Sequence, residues 1–126
     1  MLEQLGLIGN CQASAHVSAS GSVVWCCLPR FDSDPVFGML LDADAGGHFT
    51  ITSASGRPGV QRYLDNTNVL ETRFEDEGGA FRVIDFFPRF YIHGRSFHPT
   101  KLIRIVEPIE GTPYISVRCE PVGGWS

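Results

Sequence analysis

The stretch from Trp25 to Phe37 reads Trp-Cys-Cys-Leu-Pro-Arg-Phe-Asp-Ser-Asp-Pro-Val-Phe, and the remaining sequence is arranged around it. It opens within an apolar run, Val23–Leu28, that predicts a buried strand. Pro29 ends this strand because proline has no N–H to donate to a neighbouring strand. The loop that follows carries a cation, an aromatic ring and an anion, which are Arg30, Phe31 and Asp32.

This polar loop has two interpretations. In the first, Arg30 and Asp32 form an ion pair that stabilises the loop conformation, while the side chain of Phe31 packs into the core. In the second, the same three side chains recognise a ligand or a neighbouring domain, since loops at the end of a rigid strand often carry binding residues. Residue types alone favour the first interpretation and leave the second open.

The composition indicates one globular domain or part of one. The chain has 126 residues, of which 43% are hydrophobic and 19% charged, and its formal net charge is −4. The lysines and arginines are scattered rather than clustered, which argues against a nucleic-acid partner. No apolar run approaches the roughly 20 residues of a membrane helix, and the N-terminus, Met-Leu-Glu-Gln, has no signal-peptide pattern. We therefore expect a cytoplasmic protein with no membrane partner.

The cysteines and histidines predict neither a metal site nor a cofactor. No Cys-x-x-Cys or His-x-x-x-His spacing occurs among the 4 cysteines and 4 histidines. Cys26 and Cys27 are adjacent in the predicted strand and point to opposite faces, while Cys11 and Cys119 stand alone. We expect reduced, buried thiols that act as small hydrophobic side chains.

Short runs with alternating polarity, separated by Gly, Pro, Asn and Asp turns, predict about nine strands. These are Gln4–Gly9, Ala13–Ser18, Val23–Leu28, His48–Thr52, Val60–Leu64, Asn68–Glu75, Ala80–Phe87, Thr100–Val106 and Tyr114–Cys119. At most one short helix is expected, Val36–Leu41, and Gly38 weakens it. The spacing is typical of an all-β fold, an antiparallel β-sandwich.

The order of these segments resembles the N-terminal domain of bacterial and archaeal glycoside hydrolase family 15 proteins, the glucoamylase-like and trehalase-like enzymes. The matching residues are Leu7-Ile8-Gly9-Asn10-Cys11-Gln12, Val17-Ser18, Gly21-Ser22, Trp25, Cys27 through Ser33, Val36-Phe37, Gly47-His48-Phe49, Arg62-Tyr63-Leu64, Thr67 through Thr72 and Val83 through Pro88. The resemblance is collinear over most of the chain. It departs at Asp34, where the family usually has a second small residue or proline before the next proline. It also departs near the end, where the segment Pro121–Ser126 stops while the family domain would continue.

The resemblance implies that residues 1–126 are the first part of a larger two-sheet sandwich, and that this domain is incomplete. It also implies that the two catalytic glutamates of such an enzyme lie in a downstream (α/α)6 barrel. Twelve helices of about 11 residues need more than ~130 residues before any loop is added. This chain, with at most one short helix, cannot contain that barrel.

The function that the resemblance implies is that of a non-catalytic accessory domain. Its partner would be the missing C-terminal (α/α)6 catalytic domain, which hydrolyses α-glucosides such as trehalose or maltooligosaccharides with inversion. By resemblance, the residues at the junction with that domain and the mouth of its active site are Trp25, Arg30, Phe31 and Asp32. Arg30 could donate several hydrogen bonds to sugar hydroxyls or to a carboxylate of the barrel.

An alternative function is a free-standing carbohydrate-binding sandwich. In that case exposed aromatic side chains would stack on the rings of an α-glucoside ligand, and the candidates are Phe90, Tyr91, Phe97 and Trp125. The competing interpretation of these residues is that they cover the core. The sequence leaves both open, together with the identity of the parent enzyme's substrate.

The glutamates do not predict an independent glycosidase, because hydrolysis needs two carboxyl groups that face one another across the scissile bond. Glu71 and Glu75 lie on the same side of one predicted strand with Arg73 between them. This pattern is typical of a solvated charge ladder. We expect no catalytic residue in this chain.

Two aspartates are better candidates for partial burial. Asp32 and Asp85 adjoin aromatic residues, and their expected partners are Arg30 and Arg89. An aspartate that is satisfied by an arginine has a structural role rather than a catalytic one.

We also expect self-association of the isolated chain. Ile103 and Ile105 lie on one face of a predicted strand, with Leu102 and Val106 on the other. We therefore expect both faces of this strand to be buried. An incomplete sandwich leaves at least one sheet edge uncovered, and such an edge can pair with another chain.

Overall fold

The computed structural model describes residues 5–10, 13–30, 32–97 and 101–123. Twelve strands account for the regular structure of this part of the chain. They are β1 Leu5–Gly9, β2 Ser14–Ser18, β3 Ser22–Cys27, β4 Pro35–Phe37, β5 His48–Ser53, β6 Val60–Tyr63, β7 Leu70–Asp76, β8 Gly79–Phe86, β9 Phe90–Ile92, β10 Arg95–Phe97, β11 Ile103–Gly111 and β12 Ile115–Glu120. The described residues contain no helix, and thus no helix long and apolar enough to span a membrane.

Two antiparallel sheets form the body of the domain. The first sheet has the strand order β1-β2-β3-β5-β12, with β4 paired to β3 beside this path. The second sheet has the order β11-β8-β7-β6, and β9 and β10 form a separate hairpin. The fold is therefore the all-β antiparallel sandwich that the strand spacing predicts, with two core sheets and no helical layer.

The core lies between the inner faces of the two sheets. One cluster of buried side chains includes Ile8, Val23 and Leu70, and it joins the first sheet to β7. A second cluster centres on Phe74 and Phe81, whose stacked rings have centroids 5.0 Å apart. Buried and exposed residues alternate in β1 and in the second half of β7, which is the pattern expected where one face of a sheet meets the core, whereas β3 has no exposed residue.

Two hairpins lie within these sheets. β2 pairs with β3, and β7 pairs with β8 through the turn at Asp76. The Oδ1 of Asp76 accepts hydrogen bonds from the backbone N–H groups of Gly78 at 2.7 Å and Gly79 at 3.0 Å. Gly79 has φ +151°, which explains why the turn uses glycine there.

The predicted helix Val36–Leu41 is wrong. Residues 35–37 form β4, and the following residues turn back on themselves, since the N–H of Gly38 donates to the carbonyl of Gly46 at 2.7 Å. A side chain at Gly46 would meet the Gly38 backbone, so the turn requires close backbone approach. A short apolar run of this kind does not distinguish a helical turn from a strand.

The last two long strands differ from their predicted lengths and burial. β11 continues to Gly111, five residues beyond the predicted end at Val106, while the predicted start at Thr100 lies outside the described residues. On its inner face Val106 packs on the second core cluster, but on its outer face Ile105 is 43% exposed. The expectation that this strand is buried on both faces is therefore not met in this domain alone.

Candidate functional site

The loop after β3 contains the ion pair that the sequence suggests. The Nε of Arg30 lies 3.2 Å from the Oδ1 of Asp32, and the two side chains are 69% and 72% exposed. Backbone hydrogen bonds close the same turn, because the N–H of Ser33 donates to the carbonyl of Arg30 at 3.1 Å. The prediction that Asp32 is partly buried is wrong. The loop instead presents a paired cation and anion to solvent.

Trp25 lies in β3, on the outer face of the first sheet. Its cross-strand partner is His16, whose neighbours Ala15 and Val17 point into the core. Trp25 is half-buried on this outer face. The structure therefore brings Arg30 and Asp32 together, and places Trp25 on the strand that leads into their loop.

The remaining aromatic candidates are only partly within the described structure. Phe31 and Trp125 lie outside the described residues. Phe90, Tyr91 and Phe97 belong to the β9–β10 hairpin, in which Phe97 is the register partner of Phe90. An aromatic sugar platform formed by these residues therefore stays a prediction.

Glu71 is not part of a solvated charge ladder, so that prediction is wrong. Its side chain is only 7% exposed although it points to the outer face of the second sheet. Arg62 of β6 and Arg82 of β8 cover it, with Nε–Oε1 and Nη1–Oε2 distances of 3.0 Å and 2.8 Å. The hydrogen bond from Arg62 lowers the pKa of Glu71 below its usual range. A general acid needs the opposite shift, so Glu71 is unsuited to that role.

The arginine that pairs with Asp85 is Arg104, not Arg89 as predicted. Asp85 and Arg104 are cross-strand partners on β8 and β11, and their side chains are 0% and 1% exposed. Burial raises the pKa of Asp85, and the nearby charge of Arg104 acts in the opposite direction. Arg104 also donates to the carbonyl of Phe49 in β5 at 2.7 Å and to that of Gly21, in the turn between β2 and β3, at 2.8 Å. This pair is a structural link between the sheets, and no substrate can reach it.

Of the three cysteines in the described residues, two are buried and one is exposed. Cys26 and Cys27 are buried as predicted, and burial raises the pKa of Cys26 to about 12. Cys119 in β12 is exposed, so the expectation of a buried thiol is wrong there, and Cys11 lies outside the described residues. In the part of the chain that the structure describes, no hydrogen bond or ion pair activates the Cys119 thiol as a nucleophile.

Sequence reasoning missed a chain of hydrogen bonds on the outer face of the first sheet. His48 Nε2 lies 3.2 Å from Glu120 Oε2, and His48 Nδ1 lies 2.7 Å from Thr50 Oγ1. Thr50 in turn contacts the hydroxyl of Ser22 at 2.8 Å. His48 and Glu120 are direct register partners, so these hydrogen bonds stabilise the pairing of β12 with β5. The alternation of His48 and Thr50 with Phe49 and Ile51 places these two residues on one face of the strand, but it does not identify Glu120 or Ser22 as their partners.

The comparisons with known proteins agree with the fold. The sequence model of the family described as trehalase-like, N-terminal, matches residues 1–122. The chain is 33% identical to a trehalase of Mycolicibacterium smegmatis over 92% of this chain and 19% of that protein. It is 41% identical to trehalase 1 of Sulfolobus acidocaldarius over 69% of this chain and 15% of that protein. No solved structure matches.

The chain spans about a fifth or less of the length of these relatives, so the matches concern one region of each. The matched region coincides with the two-sheet sandwich, since it runs from residue 1 to residue 122 and β12 ends at Glu120. This family model covers nearly the entire sequence, and the fold is the one that the sequence pattern predicts. The chain therefore belongs to the trehalase-like N-terminal domain family.

Proposed function

We propose that this chain is the non-catalytic accessory domain of a family 15 glycoside hydrolase, and that it works beside a C-terminal (α/α)6 catalytic domain. The observation that carries the proposal is the family match over residues 1–122 in a chain that spans 19% of the Mycolicibacterium smegmatis trehalase. The parent enzyme would hydrolyse an α-glucoside of the trehalose or maltooligosaccharide type with inversion. The substrate is specified by the catalytic domain.

The acidic residues support a non-catalytic role. An inverting glycosidase needs one carboxyl group that stays protonated and a second that activates water, separated by roughly 6.5–9.5 Å. Glu71 is held as a carboxylate by two arginines, and Asp85 is enclosed by the core. Asp32 is paired with Arg30, and both side chains are exposed to solvent.

The loop after β3 is the part of the domain that we assign to the junction with the catalytic domain. Arg30 and Asp32 contribute little to the stability of the sandwich, because exposed ion pairs are worth about 0–1 kcal/mol. A guanidinium that is two-thirds exposed retains donors for a sugar hydroxyl or a carboxylate of a neighbouring domain. Trp25, on the strand leading into the loop, and Phe31 would supply the apolar part of this contact.

A domain exchange tests the proposal. Residues 1–122 of this chain replace the matching N-terminal region of the Mycolicibacterium smegmatis trehalase, and glucose release from trehalose is measured. We expect activity in the exchanged enzyme, little activity when the region is deleted, and none from the isolated chain. Glucose release by the isolated chain would contradict a non-catalytic role. A fully active deletion variant would contradict the accessory role.

The alternative function, a free-standing carbohydrate-binding module, predicts a different behaviour of the isolated chain. It would bind trehalose or maltooligosaccharides without a catalytic domain, in a calorimetric titration. We expect no measurable binding, because the loop completes a site only beside the catalytic domain. Tight binding by the isolated chain would favour the module instead.

A further inference from the structure

The side of the sandwich between β6 and β1 is closed by hydrogen bonds that belong to neither sheet. β6 is the last strand in the order of the second sheet, and β1 is the first strand in the order of the first sheet. The hydroxyl of Tyr63 in β6 donates to the carbonyl of Leu7 at 2.7 Å and accepts from the N–H of Leu7 at 2.9 Å. One side chain of β6 thus takes the place of a strand partner for Leu7 in β1.

Two further hydrogen bonds continue this contact at alternate residues. The Nε2 of Gln61 donates to the carbonyl of Val17 in β2 at 2.9 Å. The N–H of Gly59, which directly precedes β6, donates to the carbonyl of Ala19 at 2.7 Å. Gln61 and Tyr63 face the same side of β6, because side-chain direction alternates along a strand. These hydrogen bonds of residues 59, 61 and 63 with the first sheet and its turn form a row that we call the seam.

The core contributes little to the attachment of β6. All of its residues are exposed or half-buried, and the two connecting segments, residues 54–58 and 65–68, are exposed. Segments with few buried apolar contacts open locally at a lower free energy than global unfolding requires. The pairing with β7, together with the ion pair between Arg62 and Glu71, lies outside the seam. The contact of β6 with the first sheet therefore depends mainly on polar groups.

The closed seam leaves two buried oxygen atoms unsatisfied. Gln61 and Thr72 are register partners on β6 and β7. The Oε1 of Gln61 and the Oγ1 of Thr72 are buried, and neither has a hydrogen-bond partner among the described residues. A buried polar group without a partner costs free energy, and hydration removes this cost. The hydrogen bonds of the seam thus favour the closed arrangement, while these two oxygens favour opening.

We propose that β6 is a strap that opens and closes at the seam as one unit, while the rest of the sandwich stays folded. In opening, β6 tilts away from the first sheet about its pairing with β7, and the ion pair between Arg62 and Glu71 stays formed. Opening hydrates Thr72 and frees the backbone groups of Leu7 at the edge of β1. Because an edge strand with free backbone groups can accept a further strand, the strap controls access to the edge of β1.

Amide hydrogen exchange of the whole chain, followed residue by residue with NMR, tests this proposal. The N–H groups of Leu7 and Gly59 are donors in the seam, whereas that of Ile51, a core residue, donates to the carbonyl of Gly21 at 3.0 Å. We expect Leu7 and Gly59 to have similar protection factors, at least about 10-fold below that of Ile51, because opening does not need global unfolding. Protection of both residues equal to that of Ile51 would contradict a strap.

Tyr63→Phe distinguishes one cooperative unit from independent hydrogen bonds. Loss of the hydroxyl frees the N–H of Leu7 directly, but it affects Gly59 only if the seam opens as a whole. We expect the protection of Gly59 relative to Ile51 to fall by about 5- to 10-fold. The matched control is Tyr114→Phe, which removes the hydroxyl of a tyrosine that is 76% exposed and should change neither residue. Unchanged protection of Gly59 in Tyr63→Phe, or an equal loss in the control, would overturn the proposal.

Thr72→Val tests the contribution of the unsatisfied oxygens. Valine keeps the shape of the side chain but removes the hydroxyl that the closed seam leaves unpaired. We expect the protection of Leu7 and Gly59 relative to Ile51 to rise by about 5-fold or more, because the closed arrangement no longer buries this group. A fall at both residues would show that the hydroxyl is paired when the seam is closed, and would overturn this account of the opening equilibrium.

Discussion

The Nε of Arg104 lies 2.6 Å from the Oδ1 of Asp85, and both side chains are buried between the two sheets. The guanidinium also lies over the ring of Phe49, with its Cζ 4.9 Å from the ring centroid. Through the carbonyls of Phe49 and Gly21, this single arginine connects β8 and β11 of the second sheet to the first sheet. The arrangement compensates the buried charge and fixes how the sheets face one another.

Arg104→Met tests this link. We expect a loss of about 3–5 kcal/mol of stability, because Asp85 is left as an uncompensated buried charge and two carbonyls lose their donor. Urea denaturation measures the change. Arg118→Met is the control, since it removes an arginine that is 66% exposed and should cost about 1 kcal/mol or less. Equal losses in the two variants would show that the buried pair has no special role.

Glu71 gives a prediction for the pH dependence of stability. Its pKa is lowered in the folded state, chiefly by the hydrogen bond from Arg62, so the stabilisation is present above the unfolded pKa of about 4.3. It is lost as the pH falls through the lower folded pKa. Glu71→Gln should therefore cost roughly 1.5 kcal/mol at pH 7, and the difference from the wild type should shrink towards pH 3.

Thermal unfolding at both pH values measures this difference. The control is Glu75→Gln, because Glu75 belongs to the same strand but its side chain is 69% exposed. That variant should match the wild type at both pH values. A Glu71→Gln variant whose deficit is as large at pH 3 as at pH 7 would contradict the charge network.

The cysteines should differ sharply in reactivity. Cys119 is exposed, whereas burial raises the pKa of Cys26 to about 12 and leaves it a neutral thiol. Because the thiolate is the reactive species, iodoacetamide at pH 8 should modify Cys119 in the native chain long before Cys26. Peptide mapping by mass spectrometry reads out both sites. Early modification of Cys26 would mean that the first sheet opens readily around β3.

Local sequence patterns predict much of this structure. The alternation of apolar and polar residues places the long strands, and the glycines after Asp76 predict the turn between β7 and β8. The Arg30–Asp32 pair follows from two opposite charges two residues apart on a short loop. These features depend on neighbours in sequence, so a single sequence contains the information for them.

Other features depend on which strands become neighbours. Arg104 and Asp85 are 19 positions apart, and only the register of β8 and β11 makes them partners. The burial of Glu71 could not be predicted for the same reason. The alternation along its own strand places Glu71 on the solvent-facing side of the sheet, but arginines from the two adjacent strands cover its side chain. The predicted helix fails for a different reason. An apolar run of six residues fits either structure until its backbone partners are known.

The role assigned to Arg30 is tested most directly in the exchanged trehalase that carries residues 1–122 of this chain. We expect Arg30→Ala to lower kcat for trehalose by up to about 100-fold through misplacement of the active-site mouth. Its melting temperature should stay near that of the parent, because the Arg30–Asp32 pair is exposed. Arg57→Ala, at another exposed loop arginine, should change neither quantity. A melting temperature that falls while kcat stays unchanged would contradict the account.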